Sequence, residues 1–390
     1  NKILFIENTG SRNIRFTDFP RIKKRILNFM KSAKGFKKLN EKITLFSPLF
    51  FPYFFSLIFN SINSLIILKL IHRWMKKNNF SDPIIINFIP NPITFSIINT
   101  IKSNLVIYYM ADNMTQNNKK FREIEKKIIS KSQLVFYSSL NLQNKISNKK
   151  KGKYLPNGVN YKIFNKNITR KKCNTNTPFE IVYLGAVRDI INHNIILKIS
   201  NNFPNDKIYI IGPILTKFEK LYKQKNIIFI GQIKHSLVPR YLKKSHIGIL
   251  PYKINAFTKS INPLKIYEYI SSGLPVVSTN LPNVTNLIKN YPNIKIFKAK
   301  SDNAFVKHIS EIKKKYKQNT RNEIDKFLKE NAWEKRFKFL EKWILIKEYE
   351  NKYIYKKNSK INKLFIFNSL FNFLFLLVLM GAINIFFKII

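Results

Sequence analysis

The sequence predicts an α/β protein: two doubly wound domains of parallel sheet in tandem, followed by a hydrophobic tail. Three observations lead there. Short runs of β-branched and aromatic residues alternate with helical-length segments, the pattern of parallel α/β structure. The series of runs stops at the polar stretch NKNITRKKCNTNTP (165–178) and then restarts. Glycine and proline fall where runs end, at Gly10, Gly185, Gly212 with Pro213, and Gly231, the strand ends at which such sheets bind ligands.

Taken in order, KILFIE (2–7) reads as the first strand. The opening NKILFIENTG has no basic-then-apolar leader, so no signal peptide is expected there. ITLF (43–46), IIINFI (84–89), LVIYYMA (105–111), LVFYSS (134–139) and KYLP (153–156) continue the strands of the first domain. KFREIEKKIISKS (120–132) is a helical pattern between two of them. After PNGVNYKIF the series resumes with EIVYLGA (180–186), KIYIIGP (207–213), NIIFIGQ (226–232), IGILPY (247–252), PVVST (275–279) and IKIF (294–297). INHNIILKISNNF, LTKFEKLYKQ and LVPRYLKKS supply helices between them. The expected domains are 1–164, 165–346, and a basic linker with hydrophobic tail over 347–390.

A chain of 390 residues can bury two cores of ordinary size. Its net charge of +49, from 70 Lys and Arg against 21 Asp and Glu, suggests a polyanionic partner. The excess is lysine, it is spread along the whole chain, and it travels with Asn and Ile. Clustered Arg with exposed aromatics, the mark of a nucleic-acid surface, is missing. No nucleic acid is therefore expected as a partner, whereas an anionic membrane surface is. Cys173 stands alone, which excludes an internal disulfide and a Cys-based zinc site. The five His show no metal-ligand spacing, so neither metal nor cofactor is expected.

Two apolar segments bear on location. LFSPLFFPYFFSLIFNSINSLIILKL (45–70) has no charge before Lys69, but Pro52 and several Ser and Asn make it a poor spanning helix. An interfacial or groove-lining helix suits it, with a buried helix as the alternative. LFIFNSLFNFLFLLVLMGAINIFFKII (364–390) has no charge until Lys388 and is long enough to cross a bilayer. Basic residues before it would keep the folded part at the cytoplasmic face of the membrane. A packed or in-plane helix is the alternative.

The chemistry concentrates in NPLKIYEYISSGLPVV (262–277). Asn262 can cap a helix, Pro263 suits its first turn, and Gly273 with Pro275 ends it. Lys265 and Glu268, three apart, share a face. The helix N-terminus and Lys265 together favour a phosphate, and Glu268 offers acceptor oxygens for vicinal hydroxyls such as those of a ribose. As an exposed ion pair the same residues would contribute only about 0.2–0.5 kcal/mol. In the first domain, YYMADNM places Asp112 at a strand end, where it could orient or deprotonate an acceptor hydroxyl or simply cap a turn. Asn91, in IPNP, lies on another loop of that acceptor-side domain.

PLKIYEYISSGLPVV, preceded by IGILPY and by NIIFIGQ and LVPRYLKKS, resembles the donor lobe of GT-B glycosyltransferases. The similar family is the large retaining, glycogen-synthase-like one (group 1 type), in its bacterial surface-polysaccharide branch with an SPLKxxEY-type motif. YLPNGVNYKIF is similar to the element that closes the N-terminal lobe there, and EIVYLGAVRD to the start of the second lobe. The resemblance covers roughly residues 2 to 345, specific in the second lobe and mainly one of layout in the first.

It implies two Rossmann-like domains facing a cleft and transfer of a sugar from a nucleotide-diphosphate donor to a saccharide or lipid-linked acceptor. Glu268 would bind the ribose hydroxyls, and Lys265 and Arg188 the diphosphate. Gly10 would face the phosphates, Pro263 and Leu264 would turn backbone N–H groups toward them, Gly185 would belong to the same donor site, and Gly212 and Gly231 would line the base pocket. Lys265, Arg188 and Asp112 would be the catalytic set. GT-B enzymes need no bound divalent metal, and no Asp-x-Asp occurs here, which argues against the metal-dependent GT-A alternative. One departure is Ser260, where the family commonly has a second Glu that touches the transferred sugar. That departure leaves open a non-catalytic, GT-B-like nucleotide-sugar-binding partner of another transferase.

Overall fold

The computed structural model describes residues 2–7, 34–51, 56–115, 118–164, 177–317 and 319–358, with isolated positions between 23 and 29. Gly10, most of the polar linker and the apolar run 364–390 lie outside the described residues. The chain divides into two compact units, Asn1–Tyr137 with Leu142–Leu155 and residues from Phe337 on, and Ser138–Asn141 with Pro156–Arg336.

In the first unit, β1 (Ile3–Ile6), β2 (Phe36–Lys38) and β3 (Ile43–Phe46) form a sheet in the order β1-β3-β2. β1 and β3 run parallel, while β2 is antiparallel to β3. β2 has no counterpart in the sequence reading: with two lysines and no β-branched residue it lacks the signal of a strand, and its pairing alone makes it one. Helix α1 (Leu57–Lys77) leads to β4 (Ile84–Asn87), α2 (Pro92–Thr100), β5 (Leu105–Met110), α3 (Lys119–Lys131), β6 (Leu134–Tyr137) and β7 (Gly152–Tyr154). The four strands pair in the order β4-β5-β6-β7, all parallel. Every residue of β5 and β6 is buried, as befits central strands covered on both faces. Phe46, Ile67, Ile71, Ile93, Ile97 and Ile101 pack α1 and α2 onto the first sheet. Val106, Tyr108, Val135 and Tyr137 pack with Ile98, Ile128 and Ile129 around the second.

The second unit holds α4 (Tyr161–Phe164), β8 (Glu180–Leu184), α5 (His193–Asn202), β9 (Lys207–Ile211), α6 (Glu219–Tyr222) and β10 (Ile227–Gly231). It continues with α7 (Val238–Lys244), β11 (Ile247–Leu250), α8 (Leu264–Ser271), β12 (Val276–Thr279), α9 (Pro282–Asn290) and β13 (Ile296–Ala299). Helices α10 (Asp302–Lys314) and α11 (Arg321–Asn331) follow; α12 (Trp333–Asn358), whose residues from Phe337 on belong to the first unit, runs unbroken across residue 346. All six strands are parallel, in the order β10-β9-β8-β11-β12-β13. The doubly wound architecture expected for this half is thus present, with its order reversing between β8 and β11.

At that reversal the ladder is interrupted by a side chain. β8 and β11 pair only at Ile181↔Ile247 and Val182↔Gly248. Beyond that register the Tyr269 hydroxyl of α8 accepts from the Leu184 N–H (2.7 Å) and donates to the Ile249 carbonyl (3.3 Å). A phenol spacer therefore replaces a direct rung and binds α8 to both strands. Its ring lies across the backbone of β11 at Gly248, where an added Cβ would meet the Tyr269 ring at 2.5 Å. Burial of the ring pushes its phenol pKa well above the ordinary value, so the hydroxyl keeps its proton.

Gly248→Ala should therefore push the ring off β11 and destabilise the second unit by about 1–3 kcal/mol, the usual range for overpacking. Urea unfolding would show it as a lowered midpoint at unchanged slope.

Candidate functional site

In an open α/β sheet the ligand crevice lies outside the carboxyl ends of the strands where the order reverses. Here that is the edge carrying the loop after β8, with Gly185 and Arg188, and the loop after β11, which leads through Ser260 and Pro263 into α8. Arg188 is half-buried and close enough to Tyr183 for its charge to pull that phenol's pKa down against burial. Among the described residues no carboxylate pairs with it at salt-bridge distance. The entry to α8 differs from the sequence expectation. Pro263, not Asn262, occupies the N-cap, and no side chain caps the helix. The Asn262 amide is committed elsewhere, donating to the Ser138 carbonyl at 2.8 Å, while its own backbone carbonyl accepts from Asn157 at 2.7 Å. Leu264 and Lys265 therefore open the helix without a side-chain cap.

One turn into α8, the Glu268 carboxylate is almost fully buried, its side chain 3% exposed. Oε1 lies 2.8 Å from His235 Nε2. Oε2 lies 3.5 Å from Lys265 Nζ, an ion-pair distance beyond a good hydrogen bond, and among the described residues it has no hydrogen-bond partner. A buried acceptor left unmet is rare in native proteins and costs about 1–3 kcal/mol. Burial alone would raise the Glu268 pKa; the Lys265 charge, then the hydrogen bond and charge of His235, outweigh it and hold the pKa below its ordinary 4.5. The carboxylate is therefore ionised, clamped on one oxygen and open on the other.

His235 is the residue that sequence reasoning missed. It stands in the short 3-10 turn His235–Leu237 after β10, with its ring edge-on to Phe164 at 5.9 Å. Its one sequence signal was a histidine just past a strand end, on the edge already marked by Gly185, Gly212 and Gly231.

The glycines divide into two kinds. Gly212, at φ 147°, lies against the Gly185 backbone, and an added Cβ would fall 2.1 Å from the Gly185 carbonyl oxygen. The Gly185 N–H donates to Ile211 and the Gly212 N–H to Gly231, each at 2.8 Å. Close approach of neighbouring strand ends thus explains Gly212. Gly231 instead looks onto open space. Ser260 is buried in the turn Thr258–Ser260, and its hydroxyl donates to the Ala256 carbonyl at 3.1 Å.

In the first unit, Asn91 caps α2: its Oδ1 accepts from the Thr94 N–H at 2.8 Å and Thr94 returns the bond. Asp112 is half-buried just past β5, and its backbone carbonyl accepts from the Met114 N–H. Thr115, which ends this turn, donates its hydroxyl to buried Glu125 at 2.6 Å, and Tyr108 and Lys145 donate to the same carboxylate at 2.8 and 2.7 Å. Among the described residues no three His, Cys, Asp or Glu side chains group as a metal site.

Residues 165–331, within the second unit, match the family model "Glycosyl transferases group 1". A Bacillus subtilis protein named for teichuronic acid biosynthesis glycosyltransferase activity, TuaH, is 27% identical over 185 residues, 44% of this chain. The chain spans 47% of that relative's length. Among solved structures, sucrose-phosphate synthase from Thermosynechococcus elongatus superposes with a TM-score of 0.62 at 13% identity, over 80% of this chain and 85% of that one. A glycosyltransferase from Rickettsia africae gives 0.59 at 15% identity, over 91% and 98%. These likenesses establish the two-domain GT-B fold.

Because the folded Glu268 pKa is depressed, the ionised carboxylate contributes stability above about pH 4.5, and that contribution is lost as pH falls through the lower folded value. Glu268→Gln should therefore flatten the acid limb of the stability curve, as measured by urea unfolding between about pH 7 and about pH 3.

Proposed function

We propose that this chain transfers a sugar from a nucleotide-diphosphate donor to a saccharide acceptor, lipid-linked at the cytoplasmic face of the membrane, in surface-polysaccharide biosynthesis. The observation that carries the reading is the open Oε2 of Glu268, buried and ionised one turn inside α8. An ionised acceptor-only group fits the paired hydroxyls of a ribose. Lys265, Arg188 and the uncapped N-terminus of α8 supply the positive charge that a diphosphate needs.

The same groups stabilise negative charge as it develops on the departing diphosphate. Donor chemistry then runs without a metal, and the stereochemistry is retained, as the family resemblance implies. His235 holds Glu268 by the oxygen that the sugar does not use. Asp112, on the turn braced through Glu125, orients the acceptor hydroxyl. The teichuronic acid relative supports a cell-surface polymer as product. A second reading, a nucleotide-sugar-binding partner without transfer activity, is favoured by Ser260, whose hydroxyl is turned back onto Ala256 where the family commonly has a carboxylate.

Calorimetric titration with ribonucleoside diphosphates and their 2′-deoxy counterparts tests the site. Glu268→Ala and Lys265→Ala should each weaken binding roughly tenfold to a hundredfold, the scale of a hydrogen bond to a charged group. His235→Ala should weaken it less and erode the preference for ribose. Unchanged affinities in all three variants would put the donor elsewhere. Donor binding without transfer to any lipid-linked saccharide would favour the second reading.

A further inference from the structure

Helix α1 buries one side and leaves the other exposed, with no packing partner among the described residues. Asn63, Ile67, Ile71 and Trp74 face inward, and Asn63 also fixes the approach loop, exchanging hydrogen bonds of 2.8 and 2.9 Å with the Phe51 backbone. On the outer side Ile58 and Leu65 are 71% and 70% exposed, with Ile62 and Ile66 beside them. Lys69, Arg73, Lys76 and Lys77 are exposed further along. At about 100° per residue these eight positions fall within one arc of about 120°. The stripe is about 30 Å long, apolar in its first half and cationic in its second. No acidic residue occurs in the helix.

Single exposed leucines need no explanation, but four large aliphatic side chains in one stripe do. We propose that this face docks on an anionic lipid bilayer, with the apolar half entering the acyl region and the cationic half held among lipid phosphates. Charge complementarity selects that occupant. The stripe is uniformly positive where it is charged, and the whole chain carries +49, so an anionic surface attracts it at every approach. The lengthwise change of character points to an oblique helix, its N-terminal end deeper. No described helix is long and apolar enough to cross a membrane, and this contact is peripheral. The inference stands on the helix face alone, so it can fail while the donor site stands, and the reverse.

The test places an environment-sensitive fluorophore on the full chain at Leu65→Cys or Lys76→Cys, each in a Cys173→Ala background. Vesicles contain equal parts phosphatidylglycerol and phosphatidylcholine, with nitroxide either deep in the acyl chain or at the headgroup. The probe at 65 should shift to the blue and be quenched by acyl nitroxide; the probe at 76 should be quenched by headgroup nitroxide alone. Changing Lys69, Arg73, Lys76 and Lys77 together to Gln should weaken partitioning at least roughly tenfold and abolish its dependence on the anionic lipid. The proposal is overturned if the probe at 65 stays in water on vesicles that carry the protein. It is equally overturned if the chain ignores anionic vesicles, if the fourfold variant binds as well as the parent, or if the probe is buried by self-association without lipid.

Discussion

The Tyr269 hydroxyl, set between the Leu184 N–H and the Ile249 carbonyl, is the interaction on which the second unit's site depends. Parallel strands left to themselves would continue their ladder to the end of β8 and β11. A phenol inserted at that point keeps both backbones satisfied while separating them, and it ties α8 to the place where they part. Lys265 and Glu268 ride on the same helix, so their positions follow from that bond. Gly248 is the condition for it, since only a residue without Cβ lets the ring lie over β11.

Two buried glutamates differ in how completely their hydrogen bonds are met. Glu125 is met by three donors, Tyr108, Thr115 and Lys145, with both oxygens used. It is a finished network of the kind that braces a turn. Glu268 is as buried but has one oxygen unmet. The Lys265 charge and the His235 hydrogen bond keep it ionised without completing its hydrogen bonds. A stable fold has no reason to retain that arrangement for its own sake, whereas a ligand bringing hydroxyl donors would complete it.

Much of this was legible from residue patterns. The parallel strands announce themselves because strands buried on both faces must be continuously apolar, and the β-branched runs of the second unit fall within a residue or two of its six strands. The Lys265–Glu268 spacing also read correctly as a shared helix face. Pattern failed where partners are remote. β2 is a strand only because β3 lies beside it. Asn262 looked like a cap, but its amide is claimed by Ser138, 124 residues away. His235 meets Glu268 across 33 residues, and no local period reports such a pair.

The approach to α8 has a consequence for how the protein can be cut and how it folds. Asn157 holds the Asn262 carbonyl, Asn262 holds the Ser138 carbonyl, and Asn283 holds the Ser139 hydroxyl, over separations of 105, 124 and 144 residues. Contacts that far apart close late, because loop-closure entropy is lost before they form. The segment that reads as a self-sufficient module, 165–331, contains neither Ser138, Ser139 nor Asn157. Excised alone, it would keep the sheet and lose the anchors of the loop entering α8. The three asparagines Asn157, Asn262 and Asn283 thus tie the entry of α8 to residues that lie outside the matched segment.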